Sequence, residues 1–310
     1  MVDWIAKLPE VAGRYTYDAD LSKTVWFRVG GMADVLYKPR DVLDLQQFLK
    51  QTPQDLQITV VGAGSNLLIR DGGVTGVVIK LTRGFAEIKA EGNELEVGGG
   101  ALDRTVALAC QRAGIGGLEF LVGIPGTIGG AVKMNAGAYG CEVKDYLLWA
   151  ECVDRAGNVE RLAAAELGFA YRTSNIADDV IVTRARFKGQ QRAPQEIQQL
   201  LEQNLKARED SQPVKGRTGG STFKNPPEQK AWELIDQAGC RGMQIGDAQV
   251  SHKHCNFLLN LGAATASDIE GLGEKVRELV KSDSGVELEW EIKRIGNRPT
   301  VQNNKEAIDE

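Results

Sequence analysis

The stretch "VVGAGSNLLIRDGGVTGVVIKL", residues 60–81, decides what kind of fold this chain adopts. It opens like a dinucleotide fingerprint, with Gly62 and Gly64 after an apolar, β-branched run. In a doubly wound fold such a loop starts a crossover helix whose N-terminus holds a pyrophosphate. Here Asp71, Gly72 and Gly73 follow too soon for a helix of useful length. The loop therefore joins strand to strand, and residues 58–81 read as short strands broken by glycine-rich turns. Its bare N–H groups, with the Ser65 and Asn66 side chains, could still cradle phosphate as a backbone nest. A tight turn without a ligand is an equal reading of these residues alone.

A second stretch shifts the balance. "GIPGTIGGAVKMNAGAYG", residues 123–140, contains Gly123, Gly126, Gly129, Gly130, Gly137 and Gly140. Glycine permits positive φ or close approach. Thr127 and Asn135 offer hydrogen-bonding side chains, and Pro125 stiffens the turn. Packed layers joined by tight turns would explain one such loop. Two in one region are better explained by a large, flat, phosphate-bearing ligand that both touch.

Three further segments carry polar groups suited to chemistry. In "RTGGSTFKNP" (217–226), Gly219 and Gly220 lead to Ser221, then Lys224 and Asn225. This could hold a hydroxyl over a reacting atom, although most loop serines do no such work. In "YRTSN" (171–175), Arg172 is a fixed planar cation suited to a carboxylate or enolate; a surface ion pair is the commoner fate of an arginine. In "VELEWEIKRIG" (286–296), alternation puts Val286, Leu288, Trp290 and Ile292 on one face of a half-buried strand. Glu287, Glu289, Glu291 and Lys293 take the other face, and the pattern does not choose among the three carboxylates. His252 and His254 have no second cluster to complete a metal site, so none is expected.

The rest of the chain sets the frame. Its 310 residues suggest two domains, possibly three. A net charge of −5 and the lack of any Lys/Arg run argue against nucleic acid as a partner. No apolar stretch approaches the ~20 residues of a membrane span, and the start lacks the pattern of a signal peptide. Five cysteines with no CxxC pair fit reduced thiols in a cytoplasm. Residues 101–114 read as a helix with Leu102, Val106, Ala109, Cys110 and Ala113 inward and Gly114 just past its end. "LLWAECVD" and "VIVTRARF" read as strands around a turn at "RAGN". Composition shifts near Lys188, so a domain boundary is expected just before the polar helix at 193–210. A second helix is expected at 228–239, and Ser267 with Glu270 reads as a capping box opening a third.

Taken together, "FRVGG" (27–31), "VVGAGSNLLIRDGG", "GIPGTIGGAVKMNAGAYG", "YRTSN", "GGSTFKNP", "LIDQAGCRGMQIGDAQVSHKHCNFLLN" and "ELEWEIKRIG" resemble the UDP-N-acetylenolpyruvoylglucosamine reductases of peptidoglycan synthesis. They span roughly residues 21–296. The resemblance implies an α+β fold. A two-lobed FAD-binding domain of the vanillyl-alcohol-oxidase type would occupy 21–190, with lobes at about 21–85 and 86–190. A substrate-binding α/β domain would follow at 191–296, its last strand returning to the active site, with a leader at 1–20 and a polar tail at 297–310.

The same resemblance implies FAD and NADPH as cofactors and a UDP-linked enolpyruvyl ether of N-acetylglucosamine as substrate. Hydride from the reduced flavin would reach the vinyl carbon. Ser221 would deliver a proton to the α carbon, while Arg172 and Glu291 stabilise the intervening enolate. Gly62, Gly64, Ser65, Asn66, Leu67, Pro125, Gly126, Thr127, Gly129, Gly130, Asn135, Gly137 and Ala138 would hold FAD. Lys224 and Asn225 would hold substrate, and the enzyme would be a cytoplasmic monomer with no membrane partner. Two departures stand out. Trp26 replaces the usual threonine before "FRVGG", and only 49 residues separate Arg172 from Ser221. That interval matches the shorter subtype, without the extra loop and its tyrosine.

Overall fold

The computed structural model describes residues 4–299. Its first sheet is built from β1 (Arg14–Asp20), β2 (Met32–Lys38), β3 (Ile58–Val61) and β5 (Val74–Lys80), in the order β1-β2-β5-β3. β4 (Leu67–Ile69) lies between β3 and β5 in the chain but outside this sheet. β1 runs antiparallel to β2, while β2 and β3 both run parallel to β5. No helix joins β3 to β5, as the early Asp71-Gly72-Gly73 turn requires. One face of the sheet packs Val35, Tyr37, Val77 and Ile79 against Leu45, Phe48 and Leu49 of α1 (Val42–Gln51). The other face buries Leu21, Leu36, Val61, Ile69 and Val78. β1 lies within the segment expected as a leader, so that segment is an edge strand of the first lobe from Arg14 onward.

The second sheet is antiparallel and five-stranded. Its order is Val159–Ala163, Leu147–Val153, Ile181–Lys188, β7 (Glu94–Gly98) and β6 (Ile88–Glu91). The turn at "RAGN" joins Leu147–Val153 to Val159–Ala163, a strand the sequence reading passed over. That strand is polar and exposed along most of its length, so it lacks a burial signal. α2 (Asp103–Ala113) and α3 (Ile128–Lys133) pack Val106, Ala107, Cys110, Ile128 and Val132 onto Leu95, Val97, Ala150, Ala185 and Phe187. The buried face of α2 differs from the expected one: Leu102 is 52% exposed, and Asp103 turns inward instead. α4 (Pro194–Ser211) buries Ile197 and Leu201 in this same core. By packing it belongs to the second lobe, so the boundary expected at 190 moves to after Ser211.

The C-terminal part places α5 (Ala231–Gln237) and α6 (Ala266–Ser284) beside a small antiparallel sheet of Gln244–Ile245, Ala248–Val250 and Leu258–Asn260. Its core takes Ile235, Val250, Leu258, Ile269, Leu272, Val276 and Leu288. Phe27 and Leu68 of the first lobe share that core. The chain then returns: Lys293–Ile295 pairs in parallel with β4. The tail expected at 297–310 lies mostly outside the described residues. α6 is capped by Thr265 with Asp268, not by Ser267 with Glu270. Those two side chains reach across the domain boundary instead. Ser267 Oγ donates to Asp71 Oδ2 at 2.6 Å, and Glu270 accepts two 2.9 Å bonds from Arg70.

Candidate active site

A cleft of about 1020 Å³ opens where the two lobes and the C-terminal domain meet. Its volume stands at the upper end of ordinary ligand pockets, which suits a dinucleotide more than a single sugar. Sixteen of the expected site residues line it: Gly62, Gly64, Ser65, Asn66, Leu67, Pro125, Gly126, Thr127, Gly129, Gly130, Gly137, Ala138, Arg172, Ser221, Lys224 and Glu291. Seven basic side chains (Arg70, Lys133, Arg172, Arg208, Lys224, Lys293, Arg294) and three acidic ones (Asp103, Asp178, Glu291) share the wall. The molecule carries a net −5, so this basic surplus is local and suits a ligand with several phosphates.

Two expected residues lie off that wall. Asn135 is fully buried. Its amide donates to Glu142 Oε2 and to the Ala170 carbonyl, and its Oδ1 accepts from the Lys144 N–H. Both amide hydrogens are taken within the protein, and the side chain ties together the loops behind the cleft. Asn225 is exposed, and its Oδ1 accepts from the Ala231 N–H at 3.0 Å, holding the start of α5.

The glycines also act differently from the sequence reading. Gly129 sits inside α3, where a Cβ would come within 3.1 Å of both the Gly99 and Val182 carbonyl oxygens. It lets the helix rest on the second sheet, an arrangement sealed by a 2.8 Å bond from its N–H to the Gly99 carbonyl. A Cβ on Gly62 would meet Thr127 Oγ1 at 2.6 Å, so the two glycine-rich loops touch each other. Gly130 alone among these three faces open space, its nearest neighbour being Thr127 Oγ1 at 3.7 Å. Much of the glycine in residues 123–140 therefore admits protein backbone, and a smaller share admits ligand.

At the C-terminal end of the cleft three chain segments run together. The Glu291 N–H donates to the Thr222 carbonyl at 2.8 Å, and the Lys224 N–H donates to the Glu289 carbonyl at 2.8 Å. These bonds lay Ser221–Lys224 antiparallel to residues 289–292. Asn256 clamps the same segment through Phe223, its Oδ1 accepting from the N–H and its amide donating to the carbonyl. Asn66 closes the third side, its side-chain amide donating to the Glu291 carbonyl at 3.2 Å. Sequence reading placed Asn66 among phosphate ligands and gave Asn256 no role. Neither pairing has a local signal, because each partner is far away in the chain.

Arg172 comes from the second lobe and meets this end. Its Nε donates to Glu291 Oε1 at 3.1 Å and its Nη2 to the Gly137 carbonyl at 3.0 Å. Its backbone has φ +57°, a left-handed conformation that costs a non-glycine residue roughly 1–3 kcal/mol. That strain aims the guanidinium across the cleft. Burial pushes the Glu291 carboxyl above the usual carboxylate range, against the opposing pull of Arg172 and Lys224. Alternation had placed Glu291 on a solvated face with Glu287 and Glu289. Those two are exposed, whereas the Glu291 side chain keeps only 14% of its exposure. Lys224 Nζ is held by Glu289 at 2.5 Å.

Comparison with known proteins places the chain. Residues 212–295 match the profile of the UDP-N-acetylenolpyruvoylglucosamine reductase C-terminal domain, and residues 33–163 match that of an FAD binding domain. The reductase of that name from Paramagnetospirillum magneticum is 54% identical over 296 residues, covering 96% of each chain. The one from Gluconobacter oxydans is 55% identical, over 92% of this chain and 94% of its own. The crystal structure of UDP-N-acetylenolpyruvylglucosamine reductase from Thermus caldophilus superposes with a TM-score of 0.81 at 36% identity, covering 93% of this chain and all of that one. With the α+β architecture, the two-lobed cleft and this degree of identity in hand, the chain belongs to the UDP-N-acetylenolpyruvoylglucosamine reductase family.

Proposed function

We propose that this protein reduces the enolpyruvyl ether of UDP-N-acetylglucosamine to UDP-N-acetylmuramate, a step of peptidoglycan precursor synthesis, using FAD and NADPH. The observation that carries this reading is the meeting of Arg172, Ser221 and Glu291 on one end of a basic, dinucleotide-sized cleft in a chain of this family.

The residues present fit FAD. The wall between the lobes is stripped of side chains at Gly130, basic groups offset phosphate charge, and the loop at residues 62–66 is free of a crossover helix. FAD, when bound, would supply hydride chemistry with NADPH as the reductant. Gly62, Gly64, Ser65 and Asn66 would hold one part of the cofactor, and Pro125–Gly130 with Gly137 and Ala138 another.

The chain's own groups handle the charge that hydride addition creates. As the terminal vinyl carbon gains hydride, the π electron pair moves toward the carboxylate and gives an enolate. Arg172 offers that charge a fixed, multi-donor cation, already oriented before the reaction begins, which is where electrostatic catalysis gains most. Glu291, its carboxyl pushed up by burial against the pull of Arg172, hydrogen-bonds the same region. Ser221 Oγ gives its proton to the α carbon, which completes addition of H⁻ and H⁺ across the double bond, and recovers a proton from solvent. Lys224 faces the substrate's sugar or phosphate from the neighbouring position.

No helix of the described residues is long and apolar enough to cross a membrane. A cytoplasmic, monomeric enzyme acting on a small molecule is part of the same proposal. The test is spectroscopic. The purified protein should be yellow, should bleach on anaerobic addition of NADPH, and should recover its colour on addition of the enolpyruvyl substrate. Reoxidation by oxygen alone, with no response to that substrate, would overturn the reading in favour of an oxidase.

A further inference from the structure

The segment that carries Glu291 reaches the second lobe a second time, two residues on. Ile292 turns into the C-terminal core and is 2% exposed. Lys293 turns the other way, and its Nζ donates to Asp178 Oδ1 at 3.3 Å. Lys133 Nζ, at the end of α3, lies 3.3 Å from the same oxygen. All three side chains belong to residues of the cleft wall.

An acid is unexpected at that place. The Asp178 side chain is 89% exposed, yet Lys293, and after it Lys133, hold its carboxyl below the usual carboxylate range. A carboxylate on the wall weakens the pull of a basic cleft on an anionic ligand. Its use must lie in what it joins.

It joins two bodies. The loop at 171–178 is fixed to the second lobe: Ser174 Oγ donates to the Lys133 carbonyl at 2.6 Å, Lys133 Nζ to the Ala177 carbonyl at 2.8 Å, and the Asn175 N–H to the Leu167 carbonyl at 2.8 Å. The Lys293 backbone is fixed to the first lobe, pairing with Leu67 and donating to the Asn66 carbonyl at 3.1 Å. The Asp178–Lys293 contact therefore spans from lobe to lobe, beside the contact of Arg172 with Glu291. Other bonds join the lobes, among them Gln46 with Gly157 and Arg155 with Leu49, but those four residues lie off the cleft wall. The two rungs have opposite polarity. The loop supplies a cation and then an anion; the segment at 291–293 supplies an anion and then a cation. A slip that brought Arg172 to Lys293, or Asp178 to Glu291, would set like charges together. One rung fixes a distance, whereas two of opposite polarity also fix register.

We propose that Asp178 is a positioning residue for the Arg172–Glu291 pair: by holding Lys293 against the second lobe, it sets the separation at which the Arg172 guanidinium faces the substrate. The inference rests on the reading of Arg172 and Glu291 as the groups that meet the enolate. An exposed ion pair contributes little to stability, so the effect falls on rate. A misplacement of about 1 Å can slow a reaction about 10²-fold, and loosening one rung of two should do less.

The experiment compares Asp178→Asn and Asp178→Ala with wild type, and Asp178→Ala with and without Glu291→Gln. Stopped-flow absorbance follows both half-reactions, and melting is measured on the holoenzyme. In Asp178→Ala the limiting rate of reoxidation by the enolpyruvyl substrate should fall about tenfold. Flavin reduction by NADPH and the melting temperature should stay at wild-type values. Asp178→Asn keeps an acceptor without the charge and should fall between. In the Glu291→Gln background, Asp178→Ala should slow reoxidation little further, because the pair it positions is already broken. The same tenfold loss in that background would overturn the proposal. So would an unchanged limiting rate with half-saturation at lower substrate concentration, the mark of a carboxylate that only repels anions. Equal slowing of both half-reactions with a lower melting temperature would make Asp178 a residue of the fold alone. A wild-type enzyme whose reduced flavin ignores the enolpyruvyl substrate would instead sink the reading of the reaction, and this inference with it.

Discussion

Arg172 Nε lies 3.1 Å from Glu291 Oε1, and this single bond joins a strained loop of the second lobe to the last segment of the C-terminal domain, 119 residues away. Each partner restrains the other. The arginine keeps its planar fork aimed by bonds to Glu291 and to the Gly137 carbonyl. The glutamate holds its proton more tightly than a free carboxyl, because desolvation outweighs the arginine's pull.

Arg172→Lys keeps a positive charge and loses the fork. A lysine cannot satisfy Glu291 and the Gly137 carbonyl together while facing the substrate. Flavin reduction by NADPH should proceed nearly as in wild type, whereas reoxidation by the enolpyruvyl substrate should slow by about 10²-fold or more. Stopped-flow absorbance of the two half-reactions separates these outcomes. Equal slowing of both would place Arg172 at the NADPH site.

Glu291 ties catalysis to stability through pH. Its folded-state pKa is raised above the ordinary 4.5, so the folded state binds the proton more tightly than the unfolded chain does. The stability penalty is absent below pH ~4.5, grows as pH rises through the folded value, and is complete above it. Glu291→Gln removes that penalty. Its melting temperature relative to wild type should rise from acid to neutral pH and then level off, while turnover at neutral pH falls about 10²-fold or more. A difference in melting temperature that is flat with pH would show that Glu291 does not titrate as described.

Two adjacent glycines of α3 should respond oppositely to alanine. At Gly129 the new methyl would press within 3.1 Å of two carbonyl oxygens of the second sheet, backbone that cannot move aside cheaply. Gly129→Ala should lower stability by about 1–3 kcal/mol, with FAD loss following from unfolding. At Gly130 the methyl enters open cleft. Gly130→Ala should hold or raise the melting temperature, since alanine in a helix gains roughly 0.5–1 kcal/mol over glycine, yet weaken FAD binding. Melting curves and flavin release measured on both variants decide the matter.

What could be read from sequence was what local chemistry dictates. The Asp71-Gly72-Gly73 turn excluded a crossover helix and with it a doubly wound fold, and the structure has strand, loop and strand there. The three catalytic candidates stood out by motif, and all three line the cleft. Reading failed where partners lie far apart in the chain. Ser267 and Glu270 have the spacing of a capping box, yet they bond Asp71 and Arg70 about 200 residues away. The helix reading over 101–114 gave Asp103 no role, and no periodicity announces a buried acid without a hydrogen-bond partner. The glycine-rich stretch was correctly found at the cleft, but composition could not tell backbone touching backbone from backbone touching ligand.

Ser221 remains the sharpest mechanistic claim. It stands on the cleft wall, with its segment fixed by Asn256 behind and residues 289–292 alongside. If Ser221 is the proton donor, Ser221→Ala removes that step and leaves FAD binding and NADPH oxidation in place. General acid–base groups contribute about 10²–10⁴-fold, and a loss near the upper end suits a carbon protonation with no good substitute. Ser221→Cys keeps a donor of lower pKa in nearly the same place and should retain more activity than Ala. Neighbouring Thr222 cannot stand in, because it is fully buried and its side chain does not reach the cleft wall. The deciding measurement is a single turnover of the pre-reduced Ala variant in heavy water. Wild type should place solvent deuterium on one face of the α carbon. If the Ala variant does so at the wild-type rate and with the same stereochemistry, Ser221 is not the donor, and a water held beside Glu291 takes its place.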